Sequence, residues 1–383
     1  KKHFIALERG YHGSSSTGAG LTALPVFHRG FDLPLPTQHY IASPNPYRHP
    51  QGGDAQALIA ASVQALRAKV AEIGADHVAA FFCEPIQGSG GVIVPPAGWL
   101  KAMREAAREL GILFVVDEVI TGFGRTGAAF GAQSFGVVPD LMTMAKGLTN
   151  GAQPMGAVAV SQRVHDAIVD AAADGAIEFF HGYTYSGHPA ACAAGLATLD
   201  IYRDEGLFER ASALSPYFLE GLFSLRDVPI VADLRGYGMM GAIEVHPDGT
   251  PGKRGHQFQK RLFDNGLHLK ATGDAAIVAP PLIAERAHVD TIVDVLRRPQ
   301  VEGAFGLARA GVCGPLGRHA VGVLGRVEAA LGVRQVAPDV VQDPPNDIRI
   351  GLLARHLPPF QVGQSQQCLV VEHLLEVRHQ PVG

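Results

Sequence analysis

Three polar residues follow apolar runs of the sequence, at points where buried strands would end. Glu84 follows HVAAFFC, Asp117 follows ILFVV and Lys146 follows LMTMA. Open parallel sheets bind their ligands beyond the carboxyl ends of the strands, which lie along one edge. We therefore expect two carboxylates and one amine to face the same cleft. Such groups could form an ion pair, or they could take part in a reaction.

The sequence MTMAKGLTNG sets Lys146 among small and apolar neighbours, which is unusual for a lysine. A structural ion pair is one explanation, although a buried pair is costly to maintain. Asp117, taken alone, could instead cap a helix. Pyridoxal 5′-phosphate needs both groups, since an amine holds its aldehyde and an anion faces its ring nitrogen. About one βαβ crossover separates Asp117 from Lys146, so the two side chains can meet.

Apolar periodicity places these residues in an α/β fold. Strands are predicted in HFIALERGYHG, HVAAFFCEPI, ILFVVDEV, DLMTMAK and GAVAVS, and helices in ALIAASVQALRAKVAEIG and WLKAMREAARELG. Strands that alternate with helices imply a parallel sheet with right-handed crossovers. The segment through PLPTQHYIASPNPYRHPQGG is rich in proline and glycine, and it is predicted to be a loop.

A second pattern begins after Pro189, where AACAAGLATLDIYRDEG predicts a long helix. Short strands around IVADLRGYGMMGAIEVH, a helix and a strand pair around LHLKATGDAAIVAPPLI follow it. We predict a large cofactor-binding domain over residues 1–205 and a smaller α+β domain over residues 206–298.

The tail, residues 299–383, differs in composition from the rest of the chain. It contains no lysine, threonine, tyrosine, tryptophan or methionine. It is either a small extra domain or a non-native, out-of-frame extension without a packed partner, and we favour the extension. Resequencing the coding region tests this hypothesis, because an unbroken frame with a homologous product in a related strain would contradict it.

Bulk composition excludes several classes of protein. Charged residues make up 18% of the chain and the formal net charge is −4, so we expect no nucleic-acid partner. The four cysteines have no short spacing, which predicts neither a disulfide framework nor a zinc site and favours a reducing compartment. No apolar run reaches the roughly 18 residues of a membrane helix. We predict a cytoplasmic enzyme, and the absence of an initiator methionine leaves a preceding targeting segment open.

Longer motifs around the candidate residues resemble one enzyme family. FVVDEVITGFGRTG and PDLMTMAKGLTNGAQPMGAV are similar to segments of the class III, pyridoxal-phosphate-dependent aminotransferases. ERGYHG, EPIQGSGG, YTYSGHP and GDAAIVAPPLI occur in the family's order. The resemblance covers about residues 1–297 and is strongest to the ω-amino acid:pyruvate transaminases of the β-alanine:pyruvate type. It implies the fold type I of these transferases, with a mostly parallel sheet in the large domain.

The resemblance implies roles for the residues around the cofactor ring. Lys146 should form the internal aldimine and then move protons as the catalytic base and acid. Asp117 should keep the ring nitrogen protonated. Val119 should cover one face of the ring, and Tyr11 should cover the other face and touch the substrate, with His12 close by.

Three further residues have implied roles at the edges of the site. Glu84 should lie near the ring hydroxyl and the acidic group of the substrate. Thr184 should reach the phosphate of the neighbouring subunit's cofactor, which implies a homodimer or a tetramer with shared sites. Lys270 lies where the pyruvate group has an arginine that grips the substrate carboxylate. Lysine offers a point charge instead of a bidentate fork, so carboxylate binding should be weaker or the preferred donors should differ.

The resemblance also implies a phosphate-binding segment, which in the family precedes the strand that matches residues 1–10. If nothing precedes Lys1 in the protein, the cofactor should bind weakly. If the sequence is part of a longer gene product, the assignment is unaffected.

The leading hypothesis is a ping-pong transaminase that moves an amino group from an ω-amino acid or a primary amine to pyruvate. An aminomutase, racemase or decarboxylase with the same cofactor is an alternative, and so is a truncated chain that cannot hold the cofactor. The amino donor, the stereochemical preference and the choice between dimer and tetramer are left open by the sequence.

Overall fold

The cleft lies at the edge of a six-stranded sheet in the computed structural model, which describes residues 1–50 and 53–298. The predicted tail, 299–383, lies outside the described residues. The strands are β1 His3–Leu7, β2 Gln38–Ile41, β3 Val78–Cys83, β4 Leu113–Asp117, β5 Leu141–Met144, β6 Ala157–Val160, β7 Val231–Tyr237, β8 Met240–Val245, β9 Lys270–Thr272 and β10 Ala275–Val278. The helices are α1 Ser16–Leu21, α2 Ala55–Ile73, α3 Trp99–Glu109, α4 Gly131–Ser134, α5 Gln162–Val169, α6 Pro189–Asp204, α7 Leu207–Phe223, α8 Lys253–Asp264 and α9 Arg286–Leu296.

The first sheet has the order β2-β1-β3-β4-β5-β6 and is parallel from β2 to β5. This arrangement confirms the mostly parallel sheet that the alternation of strands and helices predicts. The last strand differs, because β6 pairs antiparallel with β5. The connection over residues 145–156 contains no α-helix that could form a crossover, so β6 returns beside β5 in the opposite direction.

The loop prediction for the segment before α2 was wrong over two stretches, because Ser16–Leu21 forms helix α1 and four further residues form a strand. Gln38–Ile41 forms β2, which extends the sheet by pairing in parallel with β1. Prolines on both sides of QHYI are typical of a loop, and this is why the sequence did not predict a strand here. A short strand at the edge of a sheet can still form, because it pairs with only one neighbour.

The sheet is held by apolar side chains that β3 and β4 share with α2 and α3. Phe81, Phe114 and Trp99 are fully buried in this core. Asp54 fixes the start of α2 because its carboxylate accepts hydrogen bonds from the backbone N–H groups of Gln56 and Ala57, both at 3.0 Å. The strands are therefore rigid supports for whatever follows them.

The second sheet is antiparallel, with the order β7-β8-β10-β9, and it packs against α7, α8 and α9. Both sheets belong to one compact unit, so the predicted boundary between residues 205 and 206 stays a prediction. No described helix is both long and apolar enough to cross a membrane.

Two arginines join the second sheet to the loops of the first. Arg235, in β7, donates from Nε to the carbonyl oxygen of Gly91 over 2.8 Å. Arg125 donates from Nη1 to the carbonyl oxygen of Met239 over 2.9 Å. These bonds attach β7 and the turn between β7 and β8 to loops that follow strands of the first sheet.

Candidate active site

The three polar residues of the sequence analysis lie at the ends of three neighbouring parallel strands. Glu84 follows β3, Asp117 is the last residue of β4, and Lys146 lies two residues after β5. Asp117 is paired with Thr143 across the β4–β5 ladder. The structure thus places two carboxylates and one amine along one edge, as the sequence predicts.

Asp117 is bound on both of its carboxylate oxygens. Oδ2 lies 2.9 Å from Nδ1 of His12, and Oδ1 accepts a hydrogen bond from the backbone N–H of Val119 over 3.0 Å. An ionised carboxylate only accepts, so Nδ1 of His12 carries the proton. Each oxygen keeps a further acceptor position, which a protonated ring nitrogen could use.

His12 is charged more readily than an ordinary histidine, although its side chain is only 5% exposed. Burial by itself lowers the pKa of His12, but the hydrogen bond to Asp117 and the charges of Asp117 and Glu84 raise it above its ordinary value. His12 Nε2 is buried and has no hydrogen-bond partner among the described residues. Sequence reasoning placed His12 near the ring but did not foresee its bond to Asp117.

Glu84 is fixed by two backbone N–H groups. Its Oε1 accepts from Tyr11 over 3.0 Å, and its Oε2 accepts from Gly88 over 2.8 Å. Burial raises the pKa of Glu84 to about 7, and the negative charge of Asp117 adds to this effect. His12 and the two backbone bonds oppose the shift. Glu84 can therefore hold or release a proton close to neutral pH.

Replacing Glu84 by glutamine is expected to remove a pH dependence of stability. The folded protein keeps a proton on Glu84 up to about pH 7, whereas the unfolded carboxyl releases it near 4.5. The contribution of Glu84 to the free energy of unfolding is therefore full below pH 4.5 and is lost as the pH rises towards 7. Urea unfolding across this window should give a flatter pH profile for Glu84→Gln. The exposed Glu205→Gln is the control, and a wild-type slope in Glu84→Gln would contradict the assignment.

Lys146 adopts a left-handed backbone conformation, with φ of +43°. For a residue with a side chain, this conformation costs roughly 1–2 kcal/mol. The residue is exposed, yet neighbouring protein atoms partly desolvate its amine and lower its pKa. The charges of Asp117 and Glu84 oppose this effect, while Lys270 lowers the pKa further. These four charges therefore act on one another across the site.

Tyr11 and Val119 lie beside these charges, but the roles implied for them as ring contacts stay predictions. Tyr11 is half-buried, and its ring centre lies 5.2 Å from that of Phe27. Val119 is half-buried in the turn after β4. Lys270 is exposed on β9. Thr184 is exposed, and no described hydrogen bond connects it to another predicted site residue.

Sequence reasoning missed two residues that support this edge. Glu118 is fully buried and accepts hydrogen bonds from the backbone N–H groups of Gly131, over 2.9 Å, and Ala132, over 2.6 Å. The sequence could have indicated Glu118, because it is a second carboxylate directly after Asp117 and precedes a glycine-rich turn. Tyr202 donates to the carbonyl oxygen of Gly147 over 2.7 Å, a contact that no local pattern indicates.

The donor set of this site fits pyridoxal phosphate at its reactive end. Lys146 offers an amine for the aldehyde, and Asp117 offers an anion with free acceptor positions for the ring nitrogen. Both come from fixed strand ends at the edge where open sheets bind ligands. The residues that would bind the phosphate, Thr184 among them, stay predictions.

A comparison with family models shows to which protein family the chain belongs. The model of the family described as "Aminotransferase class-III" matches residues 1–299. The chain belongs to the class-III aminotransferases. These enzymes are transferases of nitrogenous groups and use pyridoxal phosphate as their cofactor. The family resemblance drawn from the motifs is therefore confirmed.

Individual relatives of this class-III aminotransferase agree with the family assignment. The omega-aminotransferase of Caulobacter vibrioides is 43% identical over 304 residues, which are 78% of this chain and 68% of the relative. The putrescine–pyruvate aminotransferase of Pseudomonas aeruginosa is 40% identical over 307 residues, which are 78% of this chain and 66% of the relative. The chain thus spans about two thirds of the length of these two curated relatives.

A solved structure supports the predicted fold. The omega transaminase of Pseudomonas jessenii in complex with PMP superposes with a TM-score of 0.76 and is 37% identical. The match covers 80% of this chain and 70% of the other. The predicted fold, the type I fold of pyridoxal-phosphate-dependent transferases, is confirmed.

Proposed function

We propose that the protein transfers an amino group from an ω-amino acid or a primary amine to pyruvate. The observation that carries this proposal is the convergence of Lys146, Asp117 and Glu84 at three adjacent strand ends. Relatives named omega-aminotransferase and putrescine–pyruvate aminotransferase support the choice of donor and acceptor.

Some residues of the site bind and orient the cofactor, and others transfer protons. When bound, the cofactor supplies a carbonyl carbon that accepts the amino group and a ring that withdraws electrons from the bond being broken. Asp117 holds a negative charge towards the ring nitrogen, and His12 orients Asp117 through its Nδ1. A fixed charge of this kind is effective because it needs no reorganisation during the reaction.

Lys146 is the residue that transfers a proton to and from the substrate. Partial desolvation lowers the pKa of its amine, which favours the neutral form with a free electron pair on Nζ more than in an ordinary lysine. Nζ can then remove a proton from the substrate carbon and return it elsewhere as an acid. Asp117 and Glu84 stabilise the ammonium form that exists between these two steps.

A donor screen with pyruvate tests the proposed function. Alanine should form from pyruvate with β-alanine or putrescine as the donor, and without a keto acid no more than one equivalent of donor should react per bound cofactor. Turnover that needs no keto acid would instead indicate an aminomutase, racemase or decarboxylase. Absence of turnover from cofactor-saturated protein would overturn the proposal.

Lys270→Arg refines the screen, because β-alanine carries a carboxylate and putrescine does not. Arginine grips a carboxylate with two parallel hydrogen bonds, whereas lysine acts as a point charge. We expect the KM for β-alanine to fall by roughly three- to tenfold and the KM for putrescine to stay unchanged. Equal changes for both donors would show that Lys270 does not bind the carboxylate.

A homodimer, or a tetramer of such dimers, with shared sites is part of the same proposal. Four large aromatic residues flank Thr184 and are mostly exposed in the single chain, namely Phe179, Phe180, Tyr183 and Tyr185. Exposed apolar surface of this kind favours a protein interface. Sedimentation of the purified protein should give at least a dimer, and a monomer at micromolar concentration would contradict the proposal.

We also propose a cytoplasmic location. Cys83 and Cys192 are free thiols in the described part of the chain, which fits a reducing compartment. Fractionation of the source cells should recover the protein with the cytoplasm, and its recovery from another compartment would exclude this location.

A further inference from the structure

The turn after β5 holds Lys146 in an unfavourable backbone conformation. Its φ of +43° belongs to the left-handed region, which residues with side chains rarely adopt. The next residue is tightly enclosed, because a Cβ added to Gly147 would lie 2.8 Å from Cβ of Phe123 and 2.9 Å from its ring. A side chain at position 147 would clash with Phe123, so the turn needs a glycine here.

Backbone hydrogen bonds hold this turn only in part. The N–H of Leu148 donates to the carbonyl oxygen of Ala145 over 3.0 Å. The N–H of Thr149 reaches the carbonyl oxygen of Lys146 at 3.4 Å, close to the limit for a hydrogen bond. The carbonyl of Gly147, immediately after the lysine, is bound from outside the turn.

Tyr202 supplies that bond from helix α6. Its hydroxyl donates to the carbonyl oxygen of Gly147 over 2.7 Å, across 55 positions of the sequence. Its ring stacks on Phe123, with ring centres 6.0 Å apart and an interplanar angle of 23°, and it also contacts Phe208. The residue is only 8% exposed. Phe123 and Tyr202 therefore enclose Gly147, one with a ring and the other with a hydroxyl.

The hydroxyl of Tyr202 keeps the proton that it donates to the carbonyl of Gly147. Burial raises the pKa of Tyr202, which keeps the phenol protonated, although the charge of Arg125 opposes the shift. The rings of Phe123 and Phe208 fix the direction of the phenol. A carbonyl bound by a fixed donor keeps its peptide plane. The plane held here is the one between Gly147 and Leu148, one peptide beyond Lys146, and it belongs to the same short turn, Lys146–Leu148, from which the catalytic side chain projects.

We propose that Tyr202 is a positioning residue that holds the left-handed turn at Lys146 through the carbonyl of Gly147 and thereby keeps the amine at its working place. Helix α6 begins just after the segment that carries Thr184. The same helix thus connects the proposed subunit interface with the reacting lysine. The inference rests on the proposed function only in taking the amine of Lys146 as the reacting group.

Tyr202→Phe tests the proposal because it removes the hydroxyl and keeps the ring. In the cofactor-saturated protein, kcat should fall by roughly five- to tenfold, the effect of one lost hydrogen bond, while KM for both substrates stays within about twofold. In the cofactor-free protein, the pH at which reductive methylation modifies half of Lys146 should move towards that of an ordinary lysine. Mass spectrometry measures this shift, with the exposed Lys101 as an internal reference.

Tyr217→Phe is the matched control. Its hydroxyl donates to Oδ1 of Asp290 over 2.6 Å, between α7 and α9, away from the turn. This variant should keep the wild-type kcat and the wild-type labelling profile of Lys146. A lower melting temperature of Tyr202→Phe with unchanged kcat and labelling would show a purely structural role and overturn the proposal.

Failure of the proposed function would be seen separately. If the wild-type protein formed no alanine from pyruvate, the activity would be wrong, yet the labelling of Lys146 would still test the role of Tyr202. A labelling profile of Tyr202→Phe identical to that of the wild type would overturn the positioning role whatever the activity.

Discussion

Replacing Lys146 by alanine is expected to reduce amino transfer from any donor to pyruvate by at least about 10³-fold. The variant loses the amine that bonds the cofactor and also the group that moves the proton. Asp117 and Glu84 remain, so the fold and part of the cofactor binding should persist. Alanine formation under cofactor saturation, followed by a coupled assay, measures the loss.

The absorption spectrum gives an independent measurement on the same variant. The band near the edge of the visible range, which depends on the covalent link to Lys146, should vanish in Lys146→Ala. Lys101→Ala, a change at an exposed position of α3, should keep both the band and the activity. Full activity of Lys146→Ala would contradict the assignment of the reacting residue.

Replacing Asp117 by asparagine is expected to lower kcat by about 10²- to 10³-fold. Asparagine keeps the size of the side chain but removes the negative charge that faces the ring nitrogen. The change also removes the partner of His12, so the pKa of His12 should fall. The pH titration of His12 by NMR and single-turnover kinetics measure the two effects separately.

Asp140→Asn is the matched control for Asp117→Asn. Asp140 is also a buried carboxylate beside β5, where it accepts from the backbone N–H of Phe114 and pairs with Arg163, both at 2.9 Å. Its loss should lower the free energy of unfolding by about 1–3 kcal/mol and leave kcat unchanged. An equal loss of kcat in both variants would show that Asp117 acts through stability alone.

Several features of the site could be predicted from the sequence because they depend on neighbours along the chain. Long apolar runs that stop at Glu84, Asp117 and Lys146 define where buried strands end. The alternation of strands with helices predicts that those strands are parallel, so their carboxyl ends lie along one edge of the sheet. The flanking motifs then indicated the family without any knowledge of the contacts.

Other features depend on residues that are distant in the sequence. The pairing of His12 with Asp117 spans 105 positions, and the bond from Tyr202 to Gly147 spans 55. The pKa of Glu84 depends on burial and on the charges around it, neither of which a local pattern contains. The direction of β6 and the strand hidden in QHYI were also decided by pairing rather than by composition.

The sequence by itself determined which groups this protein brings to the cleft and on which strand ends they lie. The tertiary structure alone decided their protonation, their partners and the strained turn that carries Lys146. The physical reason is that a pKa or a left-handed turn reflects desolvation and contacts from every direction in space, whereas hydrophobic periodicity reports only which face of one element is buried.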